Sequence, residues 1–252
     1  MIDFFLSLKT RNETLYYFGW VCLLFAALFL ILAKTTHTQV YGVNAWYKPF
    51  KFAFSTCTFA WAMAWYISYL PNFNTSFFNW STVVLLGLEI LYIALQASKG
   101  QLSHYNQSSS LYAFLYSMMA LAASLVTLYT AYVGWLFFKN SFPELPEHYV
   151  WAIRLGILLF VVFSFEGFVM GSRMNHSVGA INDNSDRFIT GWSKTAGDLR
   201  VAHFIGMHAL QVLPLLSYYL LRTTRWTLVG SLLYGLLAVW TLVQALRGRP
   251  WG

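Results

Sequence analysis

Charged side chains are scarce in this sequence. Aspartate, glutamate, lysine and arginine make up 10% of the 252 residues, whereas hydrophobic residues make up 58%. A soluble globular domain carries roughly 25% charged residues, so this composition excludes an ordinary soluble protein. Most of the charges that are present lie between long apolar runs. The sequence therefore predicts an integral membrane protein.

Cysteine is equally scarce. The two cysteines, Cys22 and Cys57, each lie inside an apolar run, and no C-x-x-C pair occurs. A disulfide framework or a cysteine zinc site needs paired spacings that this chain lacks, so neither is expected. We expect both thiols to be packing residues.

Seven apolar runs are long enough to cross a membrane, because a spanning helix needs about 20 mainly apolar residues. These runs cover residues 15–33, 52–70, 80–97, 111–138, 150–171, 201–221 and 226–246. Mostly short connections favour antiparallel neighbours in one bundle. The sequence thus predicts a single all-α domain over residues 1–252, an integral membrane bundle of seven transmembrane helices.

Lysine and arginine are unevenly distributed between the two sides of this bundle. One side, with the N-terminus, would hold Lys9, Arg11, Lys139, Arg222 and Arg225. The other side would hold twice as many: Lys34, Lys48, Lys51, Lys99, Arg173, Arg187, Lys194, Arg200, Arg247 and Arg249. Positive residues accumulate on the cytoplasmic side of a cell membrane, so we expect a cytoplasmic C-terminus and an N-terminus outside.

The net charge of +7 bears on the partners of the chain. It predicts attraction to the anionic head groups of the lipid bilayer. No nucleic-acid motif accompanies the charge, so nucleic acid is not an expected partner. The last run has no lysine to form a Schiff base, so retinal is not expected either. A small-molecule ligand, an electron partner and a homo-oligomer remain open.

Polar residues follow one face of the third run. Their spacing of three or four residues places them on one side of a helix over four turns: Glu89, Tyr92, Gln96, Lys99 and Ser103. Either this stripe is buried among helices for packing specificity, or it lines a wet groove that descends to Glu89. Lys51, at the start of the second run, would lie at the same membrane face.

The fifth run carries Glu166, which lies too deep to be an interfacial residue. Arg173 follows two turns later on the same face. We expect Glu166 either to form an ion pair with Arg173, Arg200 or Lys51, or to be a carboxylate that carries protons or binds a ligand. Arg154, near the other end of the run, is expected to reach the lipid head groups.

The sixth run is the richest in polar residues. His203 and His208 are five residues apart, about 140° around a helix, so they cannot chelate one metal as an i, i+4 pair does. They can face different neighbours, with Gln211 between them. Each is either a hydrogen-bonded core residue or a ligand of haem b or a transition metal. In the latter case His104 or His176 would supply a second axial ligand.

Three functions fit these residues, and the residues assign no enzymatic reaction. The first is a haem- or metal-binding redox protein, with His203 and His208 as metal ligands and Glu89 and Glu166 as catalytic proton carriers. Its further cofactor-binding residues would be His104, Arg200, Gln211, Lys51 and Gln96. The second is a proton-coupled small-solute transporter or channel, lined by Glu89, Gln96, Glu166 and His208. The third is a non-catalytic receptor or assembly partner.

The segment after the fifth run, residues 173–198, is long and rich in Asn, Asp, Ser and Gly. Loops of that length in a bundle are usually functional or disordered. We expect this segment to fold as a lid over the polar site, anchored by Phe188, Ile189 and Trp192.

Overall fold

The computed structural model describes residues 2–179 and 190–251, and over this part the chain is all-α. Its helices are α1 (Ile2–Arg11), α2 (Glu13–Thr35), α3 (Tyr47–Ile67), α4 (Thr75–Ser98), α5 (Ser110–Lys139), α6 (Glu147–Arg173), α7 (Leu199–Leu216) and α8 (Thr224–Leu246). A π-helical turn, Ser217–Leu221, continues α7. Two antiparallel strand pairs join β1 (Gln39–Val40) to β2 (Val43–Asn44), and β3 (Ser177–Val178) to β4 (Gly197–Asp198).

Six helices in this part of the chain are long and apolar enough to cross a membrane: α2, α4, α5, α6, α7 with its π turn, and α8. A membrane-embedded helical protein is therefore supported. The second predicted span, 52–70, corresponds to α3, which begins and ends earlier and is not among the six. Lys48, Lys51 and many Trp, Tyr, Ser and Thr residues lower its mean hydropathy. Because 11 of its 21 residues are buried, α3 is covered by protein and needs less apolar surface.

The helix ends extend beyond the predicted runs, because polar caps lie outside an apolar pattern. Asn12, Asn74, Asp198 and Thr223 each accept a hydrogen bond from a backbone N–H of the first turn of their helix. Such caps satisfy donors that the helix itself leaves unpaired.

The described helices fall into two compact units, residues 1–126 and 127–252. In the first unit, the core joins α2, α3 and α4 through Cys22, Phe29, Ala53, Cys57 and Ile90. Both thiols are free and buried there, as expected for packing residues. Close approach of α2 and α3 depends on a glycine, since a side chain at Gly19 would overlap the Trp61 ring.

The segment between α2 and α3 forms the β1–β2 hairpin, which closes one end of this unit. The Asn44 side-chain amide donates to the carbonyls of Ala33 and Thr36, 3.1 and 2.7 Å away, and so caps the end of α2. Gly100, just after α4, lies against Thr38 of the same segment. The first and third connections therefore meet at one end of this unit, as their topology predicts.

In the second unit, α6 and α7 pack most closely because glycines line their contact. A Cβ at Gly156 would lie 2.8 Å from the Ala209 carbonyl oxygen, and one at Gly206 would overlap the Phe163 ring. The third helix of the unit, α8, adds Ala238 to the core. Its Tyr234 hydroxyl donates to the Ile205 carbonyl over 2.6 Å, which ties α8 to α7.

The connection from α6 to α7 is described up to residue 179 and again from residue 190. Its β4 strand lies against the end of α8, where a side chain at Gly197 would overlap the Ala245 backbone. Trp192 contacts Phe204 of α7 with ring centroids 5.7 Å apart. The other expected lid anchors, Phe188 and Ile189, lie outside the described residues.

Candidate functional site

The most informative polar contact in the second unit joins α6 to α7. Glu166 is 7% exposed, and its Oε2 lies 3.3 Å from His203 Nδ1. Room for the ring comes from Gly167, where a Cβ would lie 3.3 Å from His203 Cε1. The two atoms are within ion-pair distance but do not form a hydrogen bond, so a proton would pass between them through water or after a side-chain rotation.

The expected ion pair of Glu166 with Arg173 or Arg200 is wrong. Arg173 is exposed at the end of α6. Arg200 is bound to Asp198, with Nη2 at 2.7 Å and Nε at 2.9 Å from the carboxylate oxygens, and also donates to the Gly191 carbonyl. The seven-residue spacing predicts a shared helix face, but Arg173 is the last residue of α6 and its side chain is exposed there.

Asp198 organises the start of α7. Its side chain is fully buried, and besides Arg200 it accepts hydrogen bonds from the backbone N–H groups of Ser193 and Arg200, 2.9 and 3.0 Å away. Burial alone would raise the pKa of Asp198, but the hydrogen bonds and charge of Arg200, with the Ser193 N–H, together lower it. The sequence analysis missed this role, which a polar residue directly before a helical run can signal.

His208 lies on a different side of α7 from His203. Its Nδ1 is 2.7 Å from the Phe204 carbonyl oxygen of the preceding turn, and its ring lies 4.1 Å from the Phe204 ring. A backbone contact at Nδ1 fixes the tautomer and the ring orientation, as it does for many histidines that ligate metals through Nε2. Gln211, one turn further, has a buried Oε1 without a hydrogen-bond partner in the described part of the chain.

In the first unit, the predicted stripe is real but shorter than expected. Glu89 is 8% exposed and Gln96 is fully buried, with its Nε2 donating to the Tyr92 hydroxyl over 2.8 Å. Because α4 ends at Ser98, Lys99 and Ser103 lie beyond the helix, and Lys99 is exposed. The stripe therefore covers two turns, from Glu89 to Gln96.

Lys48 is the charged residue whose field acts on Glu89. Lys48 and Lys51 are both half-buried in the first two turns of α3. The sequence analysis placed Lys51 at the same membrane face as the stripe and did not single out Lys48 beside Glu89.

His104 follows α4 in an aromatic cluster. Its ring lies 5.5 Å from Phe52 and 6.2 Å from Tyr116, and its Nδ1 lies 3.2 Å from the hydroxyl of Ser103. His176 in the second unit accepts a hydrogen bond from the Leu199 N–H through its backbone carbonyl. The contacts of His104 thus lie in the first unit, and the contact of His176 lies in the second unit.

Arg154, which the sequence predicts to reach the lipid head groups, contacts the end of α5. Its Nε donates to the Phe137 carbonyl over 2.9 Å and its Nη2 to the Asn140 carbonyl over 3.3 Å. The last carbonyls of a helix lack intrahelical partners, so this arginine stabilises the end of α5.

A polar network at the π turn was not anticipated from the sequence. The buried Ser217 hydroxyl lies 2.9 Å from His148 Nδ1 and 2.8 Å from the Thr227 hydroxyl. It joins α6, α7 and α8 at one end of the second unit. Single π turns have no distinctive residue pattern, which is why the sequence did not indicate this network.

Over residues 2–179 and 190–251, no three His, Cys, Asp or Glu side chains converge as metal ligands. The structure brings several of the predicted site residues into contact with another side chain. These pairs include Glu166 with His203, Arg200 with Asp198, and Gln96 with Tyr92. No family model, curated protein or solved structure matches this chain. Fold and site together support a helical membrane protein in which the buried Glu166 carboxylate contacts the half-buried His203 imidazole.

Proposed function

We propose that the chain is a proton-coupled membrane protein, a small-solute transporter or channel, in which Glu166 and His203 pass protons between them. The contact between these two side chains, 3.3 Å across the α6–α7 pair, carries the proposal. A buried carboxylate inside membrane-spanning helices is costly to keep, and ionisable residues at such positions mark proton or ion pathways. Glu89 in α4, acted on by Lys48, is a second buried carboxylate of the kind that such a pathway uses.

Buried polar atoms on α6 and α7 support a hydrated pathway. Ser164 Oγ of α6 and Gln211 Oε1 of α7 are buried and lack a hydrogen-bond partner among the residues described. Buried polar groups in proteins are nearly always satisfied, by protein or by ordered water. Water beside these atoms would supply the hydrogen-bonded links that proton transfer requires.

Proton flux into liposomes tests this proposal. Purified protein is reconstituted with a pH-sensitive dye inside, and a potassium gradient with valinomycin drives proton uptake. We expect the wild-type chain to acidify the lumen faster than protein-free liposomes do, and Glu166→Gln and His203→Gln to reduce uptake to that background. Glu147→Gln is the matched control, because Glu147 is an exposed carboxylate at the other end of α6. Wild-type uptake equal to that of protein-free liposomes would refute a channel in which Glu166 and His203 conduct protons without a solute.

A haem- or metal-binding redox protein is the second candidate, and the orientation of His208 favours it. With Nδ1 at the Phe204 carbonyl, the ring presents the tautomer of a histidine that ligates through Nε2. A bound haem would supply one-electron chemistry. His203 presents its Nδ1 to the Glu166 carboxylate, which is also an arrangement found in histidines that ligate through Nε2. Visible absorbance and metal content of the purified protein distinguish the two candidates.

The topology belongs to the same proposal. We take α3 as the seventh span, because it is helical over 21 residues and largely covered by protein. Seven spans would place the two termini on opposite sides, with the C-terminus cytoplasmic by the distribution of lysine and arginine.

A further inference from the structure

The end of α8 carries a cleft that the proposed proton pathway does not use. It has a volume of about 160 Å³ and is lined by Trp240, Val243, Gln244, Arg247 and Arg249. Trp240, Gln244 and Arg247 are spaced by four and three residues, so one face of α8 leads into it. Sites for drug-sized ligands measure roughly 300–1,000 Å³. A cleft this small fits a single charged group.

Backbone turns after α8 hold the second arginine beside the first. The Arg249 N–H donates to the Gln244 carbonyl over 3.1 Å, and the Gln244 side-chain amide donates to the Pro250 carbonyl over 2.5 Å. Gly248 makes this turn possible, since its φ of +71° favours glycine. Arg247 and Arg249 therefore line one cleft. Two guanidinium groups that line the same cleft can bind a phosphate through paired hydrogen bonds.

The remaining groups of the cleft indicate which phosphate it suits. Gln244 Oε1 is buried and has no hydrogen-bond partner in the described part of the chain, so it can accept from a hydroxyl beside the phosphate. Trp240 is 53% exposed, and the Trp251 ring packs edge-on against it with centroids 5.5 Å apart. Tryptophans are typical of the level of the lipid head groups.

We propose that the cleft between Trp240, Gln244, Arg247 and Arg249 binds the phosphate of an anionic phospholipid whose head group carries a hydroxyl. Arg247 and Arg249 bind the phosphate oxygens, Gln244 accepts from the head-group hydroxyl, and Trp240 lies along the glycerol region. This site would select one class of head group, whereas the net positive charge of the protein attracts any anionic membrane.

Native mass spectrometry of the detergent-solubilised protein tests this site, with phosphatidylglycerol and phosphatidylcholine as probes. We expect the wild-type chain to retain phosphatidylglycerol in preference, and the double variant Arg247→Gln, Arg249→Gln to bind it about 30-fold more weakly. The matched control is Arg222→Gln, Arg225→Gln, which removes the same charge from the opposite end of α8. This control should leave the affinity unchanged.

Two further measurements make the result decisive. Replacing both cleft arginines by lysine keeps the charge but removes the paired geometry, so we expect an intermediate affinity. Inorganic phosphate that displaces phosphatidylglycerol at equal affinity would assign the cleft to free phosphate instead of a lipid. Equal losses in both glutamine pairs, or no loss in either, would overturn the proposal. Circular dichroism and melting temperature confirm that each variant is folded.

Discussion

Glu166 of α6 and His203 of α7 face each other with 3.3 Å between Oε2 and Nδ1, although 37 positions separate them in the sequence. Their approach depends on the glycines that bring the two helices together. Gly167 makes room for the imidazole ring, and Gly206 makes room for Phe163 one turn beyond His203. Because small residues set the helix separation, they also set the geometry of the carboxylate–imidazole contact.

Gly206→Ala should destabilise the protein. Its new Cβ would overlap the Phe163 ring, and overpacking of this kind costs about 1–3 kcal/mol. The gain in helix propensity, about 1 kcal/mol, offsets only part of this cost. Gly235→Ala in α8 is the control, because its Cβ would make an ordinary contact of 3.5 Å with Leu159. Thermal unfolding in detergent measures both, and equal melting temperatures would show that the α6–α7 contact is loose.

Asp198→Ala should be among the most destabilising substitutions in the second unit. It leaves the Arg200 guanidinium without its partner and removes the cap of α7. Breaking a fully buried ion pair costs about 3–5 kcal/mol, and the cost here should be smaller because Arg200 is partly exposed and keeps its bond to the Gly191 carbonyl. Loss of the cap adds about 1 kcal/mol. Asp198→Asn keeps the capping oxygen, so a smaller loss is expected. If Asp198→Ala unfolds at the wild-type temperature, this carboxylate does not hold the start of α7.

The same carboxylate predicts how stability depends on pH. Because its pKa is lower in the folded protein than the usual value of about 3.9, Asp198 contributes stability above that value. This contribution should disappear as the pH falls from about 4 through the lower pKa of the folded state. Melting curves between pH 7 and strongly acidic pH measure it. The Asp198→Asn variant should lack this acid-dependent loss, and an unchanged loss in that variant would assign it to other groups.

The sequence predicted the elements of this protein better than their contacts. Apolar runs revealed the membrane helices, because hydrocarbon requires long uninterrupted stretches. Apolar run length identifies α3 less clearly, because its side chains are largely buried against protein and do not have to be strongly apolar. Polar residues such as Glu166 and Gln96 were recognised as buried for the same reason, since each would otherwise face lipid.

Partners were less predictable than burial. Helical spacing identifies residues on one helix face, as for Glu166 and Arg173, but not which residue of a neighbouring helix lies opposite. That choice depends on crossing and separation, which Gly156 and Gly206 set for α6 and α7. Local contacts such as Asp198 with Arg200 follow from capping rules and were accessible from the sequence. The network of His148, Ser217 and Thr227 was not, because three separate helices bring it together.

A reciprocal amide pair in the first unit gives a further prediction. Asn12 and Asn79 each donate to the other's side-chain oxygen over 2.9 Å, and Asn12 also caps α2. Asn79→Ala should cost about 1–3 kcal/mol because the buried Asn12 amide loses its partner. Asn12→Ala should cost more, and the double variant less than the sum of the two. Asn74→Ala, which removes only an exposed cap, should cost about 1 kcal/mol. Additive losses at Asn12 and Asn79 would contradict coupling.

His208→Ala separates the redox candidate from a purely structural histidine. The residue lies eight positions into α7 from Arg200, or roughly 12 Å by helix rise, where an unpaired polar ring is costly. If His208 is a ligand, the variant should insert and fold but lose its visible absorbance or bound metal. If the ring only bonds to the Phe204 carbonyl, the variant should melt at a lower temperature with its spectrum and metal content unchanged. His37→Ala, at an exposed position, controls for the loss of any histidine. Unchanged cofactor content in His208→Ala would end the ligand assignment and leave the proton pathway as the function of the buried site.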